Sequence, residues 1–394
     1  MFTISNLLKR GANYLLMVLL ARTLPIAVIG TYSAYINVIG VLLLITNFGF
    51  SEYVLVNSEN ELLRKKKVSI FLQISSMIFL VLLLLSLLVP LNDVRLAVLV
   101  LLKIFLETSI YNILLAYYQA ENKIKVMSIA NMISGSSVIV ISILLYLNNH
   151  QIYTYLVYIN IIYLAITAAL FFKIQFRLES ILKIRSFLRT RFSDLKYYGI
   201  SMITIPVYMM APTVIGSFLL EPEVLAQYQI AFSIANILLL VSVSLLQEGY
   251  AKFLAYQNNV LGLTNALKKT GLKIISVNLF FLVLFVVFGE ELILLVYKKE
   301  EYLEAYYPLL LLLFSNMIFM FASIAAVIMV ILKLQKEKAK YHLEFIVISI
   351  FFGLLLTYLY GVYGLASSYI ILYSYSTFRY VKKYIKIYKT DSVK

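Results

Sequence analysis

The feature that most constrains this chain is a series of long apolar stretches separated by short polar loops. An α-helix needs ~20 mostly apolar residues to cross the hydrocarbon core of a bilayer. We predict twelve such spans, near residues 2–22, 27–48, 68–90, 94–118, 126–147, 152–172, 198–219, 223–247, 270–289, 306–332, 343–359 and 363–380. Only 13% of the residues are charged, whereas a soluble domain has about 25%. The predicted fold class is therefore all-α, a polytopic integral membrane protein.

Basic residues gather on one side of the predicted spans. With the N-terminus placed in the cytoplasm, 29 of the 34 lysines and arginines fall in inner loops and termini, and four fall outside. Cytoplasmic loops of membrane proteins carry such an excess of positive charge. We therefore predict that both termini are cytoplasmic and that the number of spans is even. These loops also explain the net charge of +15, so we expect no nucleic-acid partner.

The long polar stretch near the middle of the chain separates six predicted spans from six. We predict an N-terminal six-helix half at 1–173, a cytoplasmic amphipathic linker at 174–196, and a C-terminal six-helix half with a basic tail at 197–394. In the linker, apolar residues recur every three or four positions between basic ones: Ile181, Ile184, Leu188, Phe192 and Leu195. This pattern is typical of a helix that lies on the inner leaflet, with its basic residues near anionic lipid.

The two predicted halves show weak internal similarity. An offset of 196 residues places Tyr32 on Tyr228 and Glu52 on Glu248. Repeats with the same membrane orientation are typical of transporters, which bind their substrate between the repeats. Glu52 and Glu248 fall at the predicted cytoplasmic ends of spans two and eight. They are either solvated helix ends or a pair of gate residues.

Two cations, Lys9 and Arg10, interrupt the first predicted span. An ionisable side chain at membrane depth costs ~2.5–3.5 kcal/mol on insertion scales, so each one requires an explanation. A cation that faces a central cavity could bind a diphosphate. Arg10 is the better candidate because its planar guanidinium can hold phosphate oxygens bidentately. The alternative is that both side chains snorkel to the inner headgroups.

Lys103 and Glu107 lie four residues apart in the fourth predicted span, and this spacing places them on one helix face. Each can neutralise the other inside the bundle. One interpretation is a purely structural pair. The other is a coupling site, in which a proton binds Glu107 or a substrate phosphate binds Lys103.

Four stretches carry a resemblance to a known family. They read Leu20-Ala-Arg-Thr-Leu-Pro25 with Gly30-Thr-Tyr32 and Asn47-Phe-Gly49, then Glu221-Pro222-Glu-Val with Ala226-Gln-Tyr228, then Tyr297-Lys-Lys-Glu-Glu-Tyr302, and last Tyr360-Gly361-Val-Tyr-Gly364. In order and spacing they resemble the polysaccharide-export and O-antigen flippases of the multidrug/oligosaccharidyl-lipid/polysaccharide exporter superfamily. The lipid II flippases carry two further spans, which sets this chain apart from a peptidoglycan role.

The resemblance implies a MATE-like fold and a flippase of the bacterial cytoplasmic (inner) membrane. It implies a substrate, an undecaprenyl-diphosphate-linked oligosaccharide, that moves from the cytoplasmic to the outer leaflet. The remaining partners that we expect are membrane lipids and other polysaccharide-assembly membrane proteins, and we expect the flippase itself to be a monomer.

Two other functions stay open as alternatives. A multidrug antiporter of the same fold would need an apolar and acidic cavity. An integral-membrane polysaccharide polymerase or glycosyltransferase would need acidic residues on a sizeable outer loop, and this chain has only three scattered aspartates. No G-x-x-x-x-G-K-[ST] or G-x-G-x-x-G motif and no cysteine occurs, so we expect neither a cofactor nor a metal.

The predicted topology can be tested with reporter fusions. We expect fusions after Lys67, Lys125, Lys196 and Lys340 to report the cytoplasm, because each follows a basic loop, and a fusion at Lys299 to report the outside. Alkaline phosphatase and green fluorescent protein activities measure the two sides. A cytoplasmic signal at Lys299 would contradict the predicted spans from the ninth onward.

Overall fold

The computed structural model describes residues 2–56, 61–88, 93–121, 123–148, 152–174, 179–255, 260–331 and 334–391, and these ranges contain helices but no strand. The helices in chain order are α1 Phe2–Thr23, α2 Ile26–Leu42, α3 Leu44–Asn47, α4 Phe50–Val56, α5 Glu61–Leu88, α6 Val94–Ile104, a π-helical turn Phe105–Ile110, α7 Tyr111–Ala120, α8 Ile124–Asn148, α9 Ile152–Ile174, α10 Ile181–Leu219, α11 Pro222–Ala255, α12 Val260–Tyr297, a 3₁₀ turn Glu300–Ala305, α13 Tyr306–Ile331 and α14 Gln335–Asp391. The predicted all-α class is confirmed.

Nine helical stretches within these ranges are long and apolar enough to cross a membrane. The first predicted span corresponds to α1, which contains the two cations and is not one of the nine. The seventh corresponds to the shorter apolar stretch Ile203–Leu219. The eleventh and twelfth share α14, whose two legs meet at Gly361 with φ 57° and ψ −133°. A multi-pass membrane protein is confirmed, and the count of twelve spans stays a prediction.

The chain divides into two compact units, Met1–Val207 and Tyr208–Lys394. In the first unit, α1 packs along α8, and α9 packs against both α6 and α8. In the second unit, α11, α12 and α13 pack together, and α13 also packs along α14. The boundary between the units falls inside α10. The predicted division at 174–196 stays a prediction.

Large apolar side chains cover much of the outer surface of α12 and α14. Phe280 and Leu295 of α12 are exposed, and so are Phe351 and Tyr358 of α14. In water such a surface would cost ~25 cal/mol for each Å² left uncovered. Lipid removes that cost, which agrees with the membrane assignment.

Ion pairs join the two legs of α14 at the end opposite to Gly361. Arg379 Nη2 lies 2.8 Å from Glu344 Oε1, and Lys383 Nζ lies 2.6 Å from Glu337 Oε2. The glycine is needed at the bend because only a residue without Cβ adopts its backbone conformation at little cost. A hairpin of two helical legs is the result.

A glycine of α8 lets α1 approach closely. A Cβ built at Gly135 would lie 2.7 Å from Leu8 Cδ2 and 3.1 Å from both N and Cα of Lys9. Small residues allow this kind of backbone approach between helices in membranes. The contact holds α1 against α8 at the level of Lys9.

We expect Gly135→Val to lower the apparent melting temperature of the protein in detergent, because an added side chain of this size forces α1 away from α8 at a cost of ~1–3 kcal/mol. Gly11→Val is the matched control, since no atom lies within 4 Å of a Cβ built at Gly11. Size-exclusion chromatography after heating measures both variants. Equal melting temperatures would contradict the close approach.

Candidate functional site

The candidate site centres on Glu107, in the π-helical turn Phe105–Ile110 between α6 and α7. These three segments form one apolar stretch of 27 residues, Val94–Ala120. Glu107 stands at its midpoint, about 20 Å from either end at 1.5 Å per residue. Single π-helical turns occur often at functional sites. An ionisable side chain in the middle of an apolar stretch requires an explanation, which makes Glu107 the centre of the candidate site.

Two lysines contact the same carboxylate. Lys103 Nζ lies 3.1 Å from Glu107 Oε2, and Lys9 Nζ lies 3.5 Å from Glu107 Oε1. The side chains of Lys103, Glu107 and Lys9 are 11%, 15% and 16% exposed. α6 supplies one cation and α1 supplies the other, so the carboxylate joins two helices as well as two charges.

Tyrosine rings frame this cluster. Lys9 Nζ lies 4.3 Å from the centre of the Tyr111 ring and 5.6 Å from the centre of the Tyr163 ring. The Tyr111 hydroxyl donates to Asn131 Oδ1 at 2.6 Å, and Ser134 Oγ donates to the Tyr163 hydroxyl at 3.0 Å. Both rings are buried. A cation over an aromatic face gains ~0.5–2 kcal/mol, more when water is excluded, so the frame stabilises Lys9 inside the bundle.

The π-helical turn is joined to a break in the second predicted span. Phe48 and Gly49, between α3 and α4, have φ of 33° and 72°. Beside this break Thr46 and Ser109 share a hydrogen bond between their hydroxyls. Asn47 Nδ2 donates to the carbonyl oxygen of Thr108 at 3.3 Å. Side chains of the broken span thus satisfy backbone and side-chain groups of the turn that carries Glu107.

The three charged side chains carry a formal charge of +1 together, because two ammonium groups share one carboxylate. At an effective dielectric constant of ~20, two unit charges that are 4 Å apart interact with an energy of ~4 kcal/mol. The cluster can therefore attract an anion, and protonation of Glu107 would increase that attraction. Within the described residues no group of three His, Asp or Glu side chains could hold a metal ion.

Three other predicted site residues have side chains outside the described residues. Arg10 lies in α1, Glu52 in α4 and Glu248 in α11. Their roles stay predictions.

The structure has Lys103 and Glu107 in contact, as their four-residue spacing predicts. Reasoning from the sequence did not predict the contact of Lys9 with Glu107 or the tyrosine rings around Lys9. The available signal was that Lys9 is a third charge, in another span of the same half.

We expect Glu107→Gln to lower the free energy of unfolding by ~3–5 kcal/mol, because it leaves two ammonium groups in an apolar bundle without their shared carboxylate. Lys103→Gln should cost less, since Lys9 still neutralises Glu107. Glu61→Gln is the control for loss of an exposed pair, Lys65–Glu61 with Nζ–Oε1 2.9 Å, and should change stability by less than ~1 kcal/mol. Thermal unfolding in detergent ranks the three variants. A Glu107→Gln variant as stable as Glu61→Gln would contradict the shared carboxylate.

Comparison with known proteins identifies the family. A family model described as "Polysaccharide biosynthesis protein" matches residues 1–248. No curated protein matches the chain. The solved structures that match include the lipid II flippase MurJ in an inward closed conformation, with 16% identity, a TM-score of 0.75, and coverage of 98% of this chain and 89% of that chain.

Two further structures extend the likeness. An inward-facing multidrug resistance MATE family transporter of the MOP superfamily has 12% identity and a TM-score of 0.73, over 98% of this chain and 96% of that chain. A MOP superfamily transporter from Pyrococcus furiosus, described by the reverse polarity of its binding pocket, has 12% identity and a TM-score of 0.62, over 98% and 94%. At such identities the likeness concerns the fold. The chain therefore belongs to the polysaccharide biosynthesis protein family, and its fold is that of the MATE transporters and of the flippase MurJ.

Proposed function

We propose that this chain is a flippase for an undecaprenyl-diphosphate-linked oligosaccharide repeat unit, an O-antigen or a similar surface polysaccharide. It would move this unit by alternating access from the cytoplasmic to the outer leaflet of the bacterial inner membrane. Family membership and the flippase-type fold support the proposal. The observation that carries it is the cationic cluster at mid-membrane depth, in which Lys9 and Lys103 share Glu107.

The chemistry of the substrate requires such a cluster. A diphosphate is too polar to cross ~30 Å of hydrocarbon unaided, while its polyprenyl tail stays in lipid. Lysine binds phosphate as a point charge, and arginine adds a bidentate fork. We assign phosphate binding to Lys9, Lys103 and Arg10, the last from its place next to Lys9 in the chain.

Glu107 is assigned the coupling role. In the empty protein it neutralises part of the lysine charge, and an incoming diphosphate must compete with it. That competition keeps binding weak enough for release on the other side. Glu107 is therefore the residue through which we propose that transport is coupled to an ion gradient. Glu52 and Glu248 stay proposed gate residues.

The charge of the cluster favours the flippase over a multidrug antiporter. A site for cationic drugs would hold an excess of carboxylates, because a cation is stabilised by opposite charge. Around Glu107 the formal excess is positive. An anionic substrate fits this site better.

Deletion of the gene tests the proposed function. We expect lipid-linked oligosaccharide to accumulate at the inner face and surface polysaccharide to disappear, because the undecaprenyl-linked unit cannot cross unaided. Gel electrophoresis of surface polysaccharide and extraction of the lipid-linked intermediate measure both. Surface polysaccharide that persists in a host without a second flippase would exclude the function.

Site variants in the same strain test the assigned residues. Arg10→Ala should reproduce much of the deletion defect at normal membrane levels, while Arg10→Lys should be partly active. Lys9→Gln should also lose most surface polysaccharide, because it removes an ammonium group from the cluster. Arg22→Ala, at the other end of α1, is the matched control and should behave as wild type. Full activity of both Arg10→Ala and Lys9→Gln would exclude α1 as the source of the phosphate-binding cations.

A further inference from the structure

The first turns of α10 bury their apolar face against the protein. Ile184 and Leu195 lie in the buried core of the first unit, and Phe187 packs its ring 5.7 Å from that of Phe71 on α5. Hydrophobic periodicity placed Ile184, Leu188 and Leu195 on one face, as observed, but it also included Ile181, which is 72% exposed, and it suggested that the face meets lipid. The opposite face is therefore the one left for an external partner.

That opposite face combines arginines with exposed aliphatic side chains. Arg185 and Arg189 are exposed, and Ile181 and Leu182 are 72% and 76% exposed. Positions 182, 185 and 189 share one side of a helix because they follow the i, i+3, i+7 spacing. We call the surface formed by Ile181, Leu182, Arg185 and Arg189 the basic face.

The two arginines of the basic face have no ion-pair partner in the part of the chain that the structure describes. The neighbouring cation does have one: Lys183 Nζ lies 3.1 Å from Glu179 Oε2. Two positive charges one helical turn apart are therefore available to a ligand.

Contacts with α5 hold the start of α10 against that helix. Gln73 of α5 exchanges two hydrogen bonds of 3.1 Å with the backbone N–H and C=O of Glu179. Farther along, Phe187 meets Phe71. The start of α10 is therefore held beside the part of α5 that contains Gln73 and Phe71.

The level of these contacts is that of the lipid headgroups. Phe71 is one helical turn, about 6 Å, from Lys67, which ends the basic run Arg64–Lys67. Basic runs at the ends of spans mark the boundary between hydrocarbon and headgroups. The basic face thus has its arginines at headgroup level, with Ile181 and Leu182 beside them.

We infer that the basic face binds the headgroup of an anionic phospholipid of the surrounding membrane. Arg185 and Arg189 would contact the phosphate, and Ile181 and Leu182 would contact the first carbons of the acyl chains. The positive arginines complement the negative headgroup, and the acyl chains next to that headgroup match the two aliphatic side chains. A free phosphate would use only the arginines. This site is separate from the cluster around Glu107 and does not depend on the proposed substrate.

The chain contains no tryptophan, so Leu182→Trp would place a single indole on the basic face. The full-length variant is reconstituted in vesicles of equal parts phosphatidylcholine and phosphatidylglycerol, without any lipid-linked oligosaccharide. One of the two lipids carries brominated acyl chains, which quench a neighbouring indole. We expect brominated phosphatidylglycerol to quench more strongly, with an enrichment of about five-fold for each arginine in contact.

Two variants in the Leu182→Trp background assign the effect. Arg185→Gln with Arg189→Gln should remove the preference for phosphatidylglycerol. Lys268→Gln with Lys269→Gln, which removes two charges from an exposed pair on α12, should leave it intact. Circular dichroism of each variant checks that the helices are retained, and we expect the same spectrum for all of them.

Three results would overturn the inference. Equal quenching by the two brominated lipids would mean that the basic face contacts the membrane but does not prefer the anionic lipid. No quenching by either lipid means that the basic face meets water or another protein. A preference that persists in the double arginine variant places the anionic lipid elsewhere. Each result leaves the proposed transport function untouched, because no substrate is present.

Discussion

The contact of two lysines with one carboxylate is the constraint around which the first unit is arranged. A single charged side chain in hydrocarbon costs several kcal/mol, and an ion pair offsets that cost only with good geometry and additional partners. Lys9 receives such partners from aromatic rings of α7 and α9, and α8 supplies the hydrogen bonds that orient those rings. α1 must also come close to α8, which Gly135 permits. Five elements are thereby tied to one carboxylate.

Irregular backbone lies where these charges meet. The π-helical turn inserts a residue into an otherwise α-helical span, which changes the direction of every side chain beyond it. Backbone groups released by such a turn must find partners, because lipid offers none. Asn47 and Asn112 both donate to the carbonyl oxygen of Thr108, and the broken second span brings Asn47 into reach. The two irregular segments therefore support each other.

Sequence predicted the class of fold because bilayer thickness dictates how long an apolar stretch must be. It also paired Lys103 with Glu107, since four residues make one helical turn. It missed the partnership of Lys9 with Glu107, because no local rule relates residues of separate spans. It had no signal for the π-helical turn, because residues Phe105–Ile110 fall inside the fourth predicted span with nothing to separate them from regular α-helix. For α10 the periodicity identified Ile184 and Leu195 as one apolar face, but periodicity does not say whether protein or lipid covers that face.

The position of Glu107 in the middle of its span has an electrical consequence for transport. A charge that crosses the whole membrane exchanges ~2.3 kcal/mol for each 100 mV of membrane potential. With Arg10 included, the proposed site of Lys9, Arg10, Lys103 and Glu107 has a formal charge of +2 when empty, and a bound diphosphate of about −2 brings it near zero. A potential that is negative inside then draws the empty site inward and exerts little force on the loaded one. Under the proposed function, the membrane potential favours export through the return of the empty site.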